Sequence, residues 1–243
     1  PQQPEEDSPE DPESPEAPQP QLPPGHPLSG LFKQTRIPKE YADLYQEREG
    51  YGNYRFNRLH RGRVFDEIAA MGDFPAGSWE LNGQAPNGEA YTLHISDDAV
   101  AMTQGEQSWF HDTGEPFTAD PPGTGGLLAA MYHLRQMLIN PEERFTEFYY
   151  LGSEPLDGDG ERVDVLIATR GSSTSRWYFR QSDSSFVGFD TEIEPDTDPC
   201  EVRILDWQTS DGRRLPSLLQ VRHATETVGE YTLEKLTFRG AAW

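Results

Sequence analysis

Among its 243 residues the chain has one cysteine, Cys200. A lone thiol excludes an internal disulfide and any multi-cysteine zinc or iron–sulfur site. Long apolar runs are missing as well, so no segment reads as a membrane-spanning helix, and no basic stretch leading into an apolar one marks a secretory leader. Basic residues are scarce: 20 Lys plus Arg stand against 42 Asp plus Glu, a formal charge of -22. Affinity for phosphate backbones comes mostly from Lys and Arg displacing counterions, so the surface as a whole is unsuited to DNA or RNA. Catalytic signatures are also wanting. There is no G-x-S-x-G, no H-E-x-x-H, no H-x-E followed by P-C-x-x-C, and no pair of histidines at helical spacing among His26, His60, His94, His111, His133 and His223. No cofactor, metal or catalytic residue is therefore nominated. Scattered Ser, His and Asp can still meet in space, so an enzyme stays as a third option, with His111 and Asp112 the first residues to screen.

The acid that is present is unevenly placed. Residues 1–30 hold ten Pro and seven Asp or Glu, with no Lys or Arg. Such a composition cannot bury enough surface to offset the entropy of ordering, so 1–30 is expected to be a disordered, acidic, Pro-rich linker. A Pro-rich ligand for an aromatic groove is the other reading, although the basic or aromatic anchors are lacking. The Pro1 start is expected of a chain whose leader or upstream domain has been removed. The stretch Lys33–Arg63 is basic. It is read either as a docking surface for a partner protein or lipid headgroups, or as arginines pairing with the acidic remainder of the same molecule.

Periodicity places a helix over Tyr54–Met71, within a helical segment 31–76 that packs on a sheet, with Gly72 as its stop. From residue 77 the period shortens. Short runs from Ser78, Ala90, Ala99 and Gln107 are separated by Pro86-Asn87-Gly88, Asp97-Asp98 and Gly105-Glu106, which makes an antiparallel meander. The cluster Asp120–Gly126 leads into a second helix, 127–140, where Leu127, Met131, Leu134 and Leu138 form an amphipathic stripe that Pro141 ends. Its glycines are either a static connector or a hinge. Strands then resume to Arg239. Asp157-Gly158-Asp159-Gly160 reads as a hairpin turn, since it lacks the remaining ligands of a calcium loop. The fold class expected is mainly β (α+β): a curved, unclosed antiparallel half-barrel of about eleven strands covered by two or more helices.

Phe148-Tyr149-Tyr150-Leu151-Gly152-Ser153-Glu154-Pro155-Leu156 is similar to the strand end that follows the lid helix in the LolA/LolB-like fold of lipoprotein carriers. Asp206-Trp207-Gln208-Thr209-Ser210-Asp211-Gly212-Arg213-Arg214-Leu215-Pro216 resembles a hairpin near the end of such domains. The resemblance covers 77–243. Upstream, Gly50–Leu59 is similar to LolA-like extensions of secreted, PDZ-containing trypsin-like proteases. What the resemblance implies is a periplasmic or secreted setting and an apolar or lipidated ligand.

Two functions follow as expectations. One is a non-catalytic extracytoplasmic module that holds an apolar or lipidated ligand against the concave sheet, lined by Trp79, Leu93, Phe110, Leu127, Met131, Leu134, Trp177 and Phe179. The other is an accessory interaction or spacer domain of a larger secreted protein, its interior filled by the same aromatic side chains.

Overall fold

A computed structural model describes residues 55–239, with side chains from Asn57 onward. The linker expected over 1–30, the first part of the 31–76 segment and most of the basic stretch lie outside the described residues. Helix α1 (Arg55–Ala70) leads into β1 (Ser78–Gln84), β2 (Ala90–Ile95), β3 (Ala99–Gln104) and β4 (Gln107–Asp112). Then come α2 (Leu127–Ile139) and the one-turn α3 (Pro141–Arg144). The chain continues through β5 (Glu147–Pro155), β6 (Arg162–Arg170), β7 (Ser173–Arg180), β8 (Phe186–Glu192) and β9 (Cys200–Ser210). It ends with β10 (Arg213–His223), β11 (Glu226–Thr232) and β12 (Lys235–Arg239).

All pairings are antiparallel. They build a five-stranded sheet, β12-β1-β2-β3-β4, and a seven-stranded sheet, β11-β10-β9-β8-β7-β6-β5. The arrangement is the expected unclosed half-barrel, with β4 and β5 as its open edges. One strand more is present than the expected eleven or so, because the run Gly229–Arg239 divides. Leu233 N–H bonds to Ser217 O at 2.8 Å on the β10 side, and the next residue, Glu234, bonds through its N–H to Asn82 O at 2.8 Å on β1. A strand that changes sheets in this way makes a corner, and it joins the two sheets into one curved surface. The seam is tight: a Cβ on Gly83 would lie 1.8 Å from Thr232 O, and Tyr91 Oη donates to that same carbonyl at 2.9 Å.

Register explains which side chains face inward. In the five-stranded sheet, Trp109, Met102, Leu93, Leu81 and Leu236 form one transverse row, and His111, Val100, Ile95, Trp79 and Phe238 another. Both rows belong to the core. In the seven-stranded sheet, Leu166, Trp177, Phe189, Val202 and Val221 align, Trp177 stacking on Phe189 at 4.5 Å between centroids. Beside that row runs a small-residue row, Ala168, Ser175, Thr191 and Cys200, all without exposed surface. Small side chains on the sheet and Ala129 and Ala130 on α2 let the helix approach closely. The wholly enclosed Cys200 thiol is pushed up by burial, with Asp190 adding to the shift, and is chemically inert.

Helix α1 presses Val64 and Ile68 into the core, Met71 follows them there, and the chain turns away at Gly72, which adopts φ +114°. The helix lies along the β5 edge: Asn57 Nδ2–H donates to Tyr150 O at 3.3 Å, and the His60 ring stacks on Tyr150 at 3.9 Å. Within the basic stretch, Arg61 pairs with Glu142 at 2.7 Å. On the outer face, the Asp157 loop does more than turn the chain. Asp157, at φ +54°, receives Arg203 at 2.7 Å and Arg222 at 2.9 Å, while Arg203 also meets Asp190 at 2.6 Å. Against the upward push of burial, these arginines hold the Asp157 carboxyl below its usual range.

Candidate functional site: the occupied concave face

Helix α2 lies against strands of both sheets, contacting β2 and β3 on one side and β7, β8 and β9 on the other. From Leu127 through Leu138 every residue is buried. The expected stripe, Leu127, Met131, Leu134 and Leu138, is therefore only part of an enclosed surface, and the polar residues His133, Arg135 and Gln136 are inside as well. That is a correction to the amphipathic reading, and its cause is the set of partners those polar groups find. The helix begins after Gly123, Gly125 and Gly126, which take φ of +84°, +69° and +106°. Gly126 has no side chain to cap the helix, and the Thr124 hydroxyl accepts from Leu127 N–H at 3.1 Å instead.

Two polar anchors hold one turn of α2 to both sheets. On one side, Arg135 has no exposed surface and bonds to Ala76 O, to Gly77 O at 2.9 Å and to Asp97 Oδ1 at 2.8 Å. Arg144 shares Asp97 at 3.1 Å. Burial opposes ionisation of Asp97, but the hydrogen bonds and charges of Arg135 and Arg144 outweigh it and hold the carboxyl below its ordinary value. On the other side, His133 Nδ1 lies 2.9 Å from Ser175 Oγ and Nε2 lies 2.8 Å from Ser173 Oγ. Each hydroxyl also has a backbone carbonyl at 3.2 Å, Ala168 O for Ser175 and Arg170 O for Ser173, and Ser175 Oγ accepts Trp177 Nε1–H at 2.7 Å. The neutral ring donates to one serine and accepts from the other. Burial, with the Arg170 charge adding to it, lowers the His133 pKa to about 3, so the ring is neutral.

Not every polar atom here is satisfied. Gln136 has no exposed surface, yet neither its Nε2 nor its Oε1 has a partner, and Arg135 Nε and Thr191 Oγ1 are likewise unpartnered. Beside α2 run two narrow apolar crevices. The first touches Trp79, Leu81, Leu134, Arg135, Leu215 and Leu236, and the second touches Tyr91, Leu93, Met102, Leu127 and Tyr231, with Met131 shared by both. Each leaves only about 10 Å³ of free space, about what one water needs and far below a ligand pocket. Roomier depressions, of about 610, 550 and 490 Å³, are shallow grooves open to solvent.

Five of the expected lining residues thus meet at these crevices: Trp79, Leu134 and Met131 at the first, and Leu93, Leu127 and Met131 at the second. Trp177 and Phe179 are buried elsewhere, in the floor of the seven-stranded sheet, where Phe179 stacks on Phe186 at 5.2 Å. Phe110 is a correction. It is 69% exposed, because register places it in the outward row with Ala101, His94 and Glu80. His133, Arg135, Gln136 and Asp97 were not singled out from the sequence. A signal for them existed: at 100° per residue His133 and Arg135 point about 200° apart, so they cannot share one wet face on an otherwise apolar helix. Among the described residues no cluster of three or more His, Cys, Asp or Glu could hold a metal, and no helix is long and apolar enough to cross a membrane.

No family model and no curated protein matches the chain. Three solved structures are similar in chain path. A DUF1329 family protein from Desulfovibrio piger is 10% identical, with TM-score 0.40, over 74% of this chain and 92% of its own. A domain described as an outer membrane lipoprotein-sorting protein, from Vibrio parahaemolyticus, is 9% identical, with TM-score 0.42, over 72% and 91%. A LolA superfamily protein from Nitrosomonas europaea is 11% identical, with TM-score 0.42, over 75% and 94%. The LolA-like architecture that the sequence resembles is represented among them. Nothing about ligand or activity follows from likeness at this level.

Proposed function

We propose that the chain is a binding module whose concave face takes up an apolar chain when α2 shifts from its seat, and that it does so without catalysis and outside the cytoplasm. One observation carries the binding: an apolar helix fills the concave face of an open-edged sheet, and the crevices along it meet at Met131. Helices at a protein surface are amphipathic because one side faces water, and α2 has no such side. A helix enclosed on all sides, entered through three left-handed glycines, occupies the volume that an aliphatic ligand would fill. The location rests only on the sequence resemblance to lipoprotein carriers.

The test is mass spectrometry of organic extracts from the native protein, combined with displacement of a hydrophobic dye. Extracted lipid and saturable dye binding support the reading, while neither of the two being found rules it out. The second reading, an accessory interaction or spacer domain, is favoured by the small free space beside α2, and it predicts that negative result.

A further inference from the structure

The two edges of the half-barrel differ. Helix α1 runs along β5, with Asn57 Nδ2–H on Tyr150 O and the His60 ring on Tyr150. Strand β4 pairs with β3 alone and has no such cover among the described residues. Its backbone groups divide by parity. Gln104 and Gln107 flank a two-residue turn and bond to each other, so Trp109 and His111 also bond to β3, and Thr113 N–H continues the series to Asp98 O at 3.0 Å. Ser108, Phe110 and Asp112 therefore turn their N–H and C=O groups outward. Those of Ser108 and Phe110 meet no partner among the described residues, and of Asp112 only the carbonyl does, accepting Glu115 N–H at 3.1 Å. Natural edge strands are blunted by Lys, Pro, a bulge or a covering element. Gln107–Asp112 contains no Lys or Pro and pairs with β3 without a register shift, and Phe110, 69% exposed, stands on its outer face.

We infer that two copies of this chain associate through β4, which joins their five-stranded sheets into one of ten strands. The strand is complementary to itself. With a two-fold axis at Phe110, antiparallel pairing sets Phe110 against Phe110 and Ser108 against the second copy's Asp112, so outward groups meet outward groups. Four backbone bonds form, two between the Phe110 residues and one from each Asp112 N–H to the facing Ser108 O. On the outer face the two phenyl rings pack together, and each Ser108 hydroxyl faces an Asp112 carboxylate. Charge selects this register. Moving the axis to Trp109 sets Asp112 against the second copy's Glu106, and moving it to His111 drops Ser108 out of the pairing. The contact spans only about 20 Å of strand, so the dimer exchanges with monomer at a Kd on the order of 10 µM. Each copy carries a formal charge of -22, so the copies repel and salt tightens the association. None of this depends on what fills the concave face.

The experiment is sedimentation velocity of the full chain across a concentration range from about 1 to 300 µM, at low and at high salt. A monomer–dimer equilibrium is expected, tighter at high salt. Phe110→Lys puts a charge on the edge at an exposed position, so it folds, and it is expected to weaken association about tenfold or more. Leu205→Lys removes another exposed apolar side chain, 48% exposed and on the other sheet, and should leave the equilibrium unchanged. Cys200 is enclosed, so in Phe110→Cys the new thiol alone is reactive, and mild oxidation should link two copies through it. A chain that stays monomeric throughout, or a dimer that Phe110→Lys leaves as tight as before, overturns the inference. A dimer that Phe110→Lys breaks but that does not crosslink at position 110 overturns the two-fold axis at Phe110.

Discussion

Arg135 Nη1 donates to Asp97 Oδ1 at 2.8 Å, and through this bond the buried helix α2 is tied to the turn between β2 and β3. The guanidinium is wholly enclosed, while the carboxylate side chain is 43% exposed. The two partners therefore differ in what they lose if the bond is cut. Asp97 can return to water. Arg135 cannot, and keeps only the carbonyls of Ala76 and Gly77.

Asp97→Asn is accordingly expected to destabilise the protein by about 2 kcal/mol at neutral pH. The figure lies below that for a fully buried pair because Asp97 is partly hydrated. The sign of its pH dependence follows from the lowered carboxyl pKa. Wild type gains from the ionised form above the unfolded-state value of about 4 and loses the gain as pH falls through the lower folded value. Urea midpoints of the two proteins should differ at pH 7, and the difference should shrink as pH falls below the ordinary carboxylate value.

His133 supplies a second pH dependence. Its folded pKa of about 3 lies below the ordinary histidine value, so in the interval between them the unfolded chain binds a proton that the folded chain refuses. Stability contributed by the neutral ring is complete above about pH 6.5. It is lost at on the order of 1 kcal/mol per unit as pH falls toward the folded value. His133→Gln, which can still donate to one serine and accept from the other, should flatten stability curves over that interval. A slope equal to that of wild type would show that His133 is not the source.

Gln136 leads to the opposite expectation. Both ends of its amide are buried without partners, and replacing such a group by an apolar one of similar shape removes a penalty. Gln136→Met should raise stability by about 1 kcal/mol, or about 2–4 °C in Tm for a domain of this size. A fall in Tm would mean that the amide is satisfied by bound water.

The seam and α1 make a paired glycine test. Gly83→Ala would drive a methyl into the Thr232 carbonyl, a backbone atom held by the sheet, so a loss of about 3 kcal/mol or failure to fold is expected. Gly62, inside α1, has nothing within 4 Å of its missing Cβ, and Gly62→Ala should add about 0.5–1 kcal/mol. Chemical denaturation of the two variants should therefore give changes of opposite sign.

Much of the secondary structure was legible because each element carries a local pattern. The α1 spacing ended at Gly72, the α2 stripe ended at Pro141, and the first four strands were bounded by Gly or Asp turns. The division of β11 from β12 was not. Leu233 and Glu234 bear no Gly, Pro or Asn, and the corner is made by hydrogen bonds to residues far away in sequence, Ser217 and Asn82. Phe110 was misplaced because β4 is short, and alternation alone does not say which of Trp109 and Phe110 faces inward. The pairing of Ala101 with Phe110 decides it. The interior of α2 was legible only in part: the angle between His133 and Arg135 argues against a single wet face, but their partners, Ser173, Ser175 and the Ala76 and Gly77 carbonyls, are brought to them only by the fold.

The corner at Leu233 and Glu234 also bears on how the molecule is made. Ser78, in the first strand, has Arg239, in the last, as its register partner. During synthesis the outer edge of β1 emerges early and stays bare until nearly all of the described chain has left the ribosome. Any sheet that β1 through β4 make in that interval has the β1 flank open as well as the β4 flank, and a bare strand edge is a template for pairing with other chains. Ser78–Gln84 is thus the strand on which late synthesis of a partner matters most.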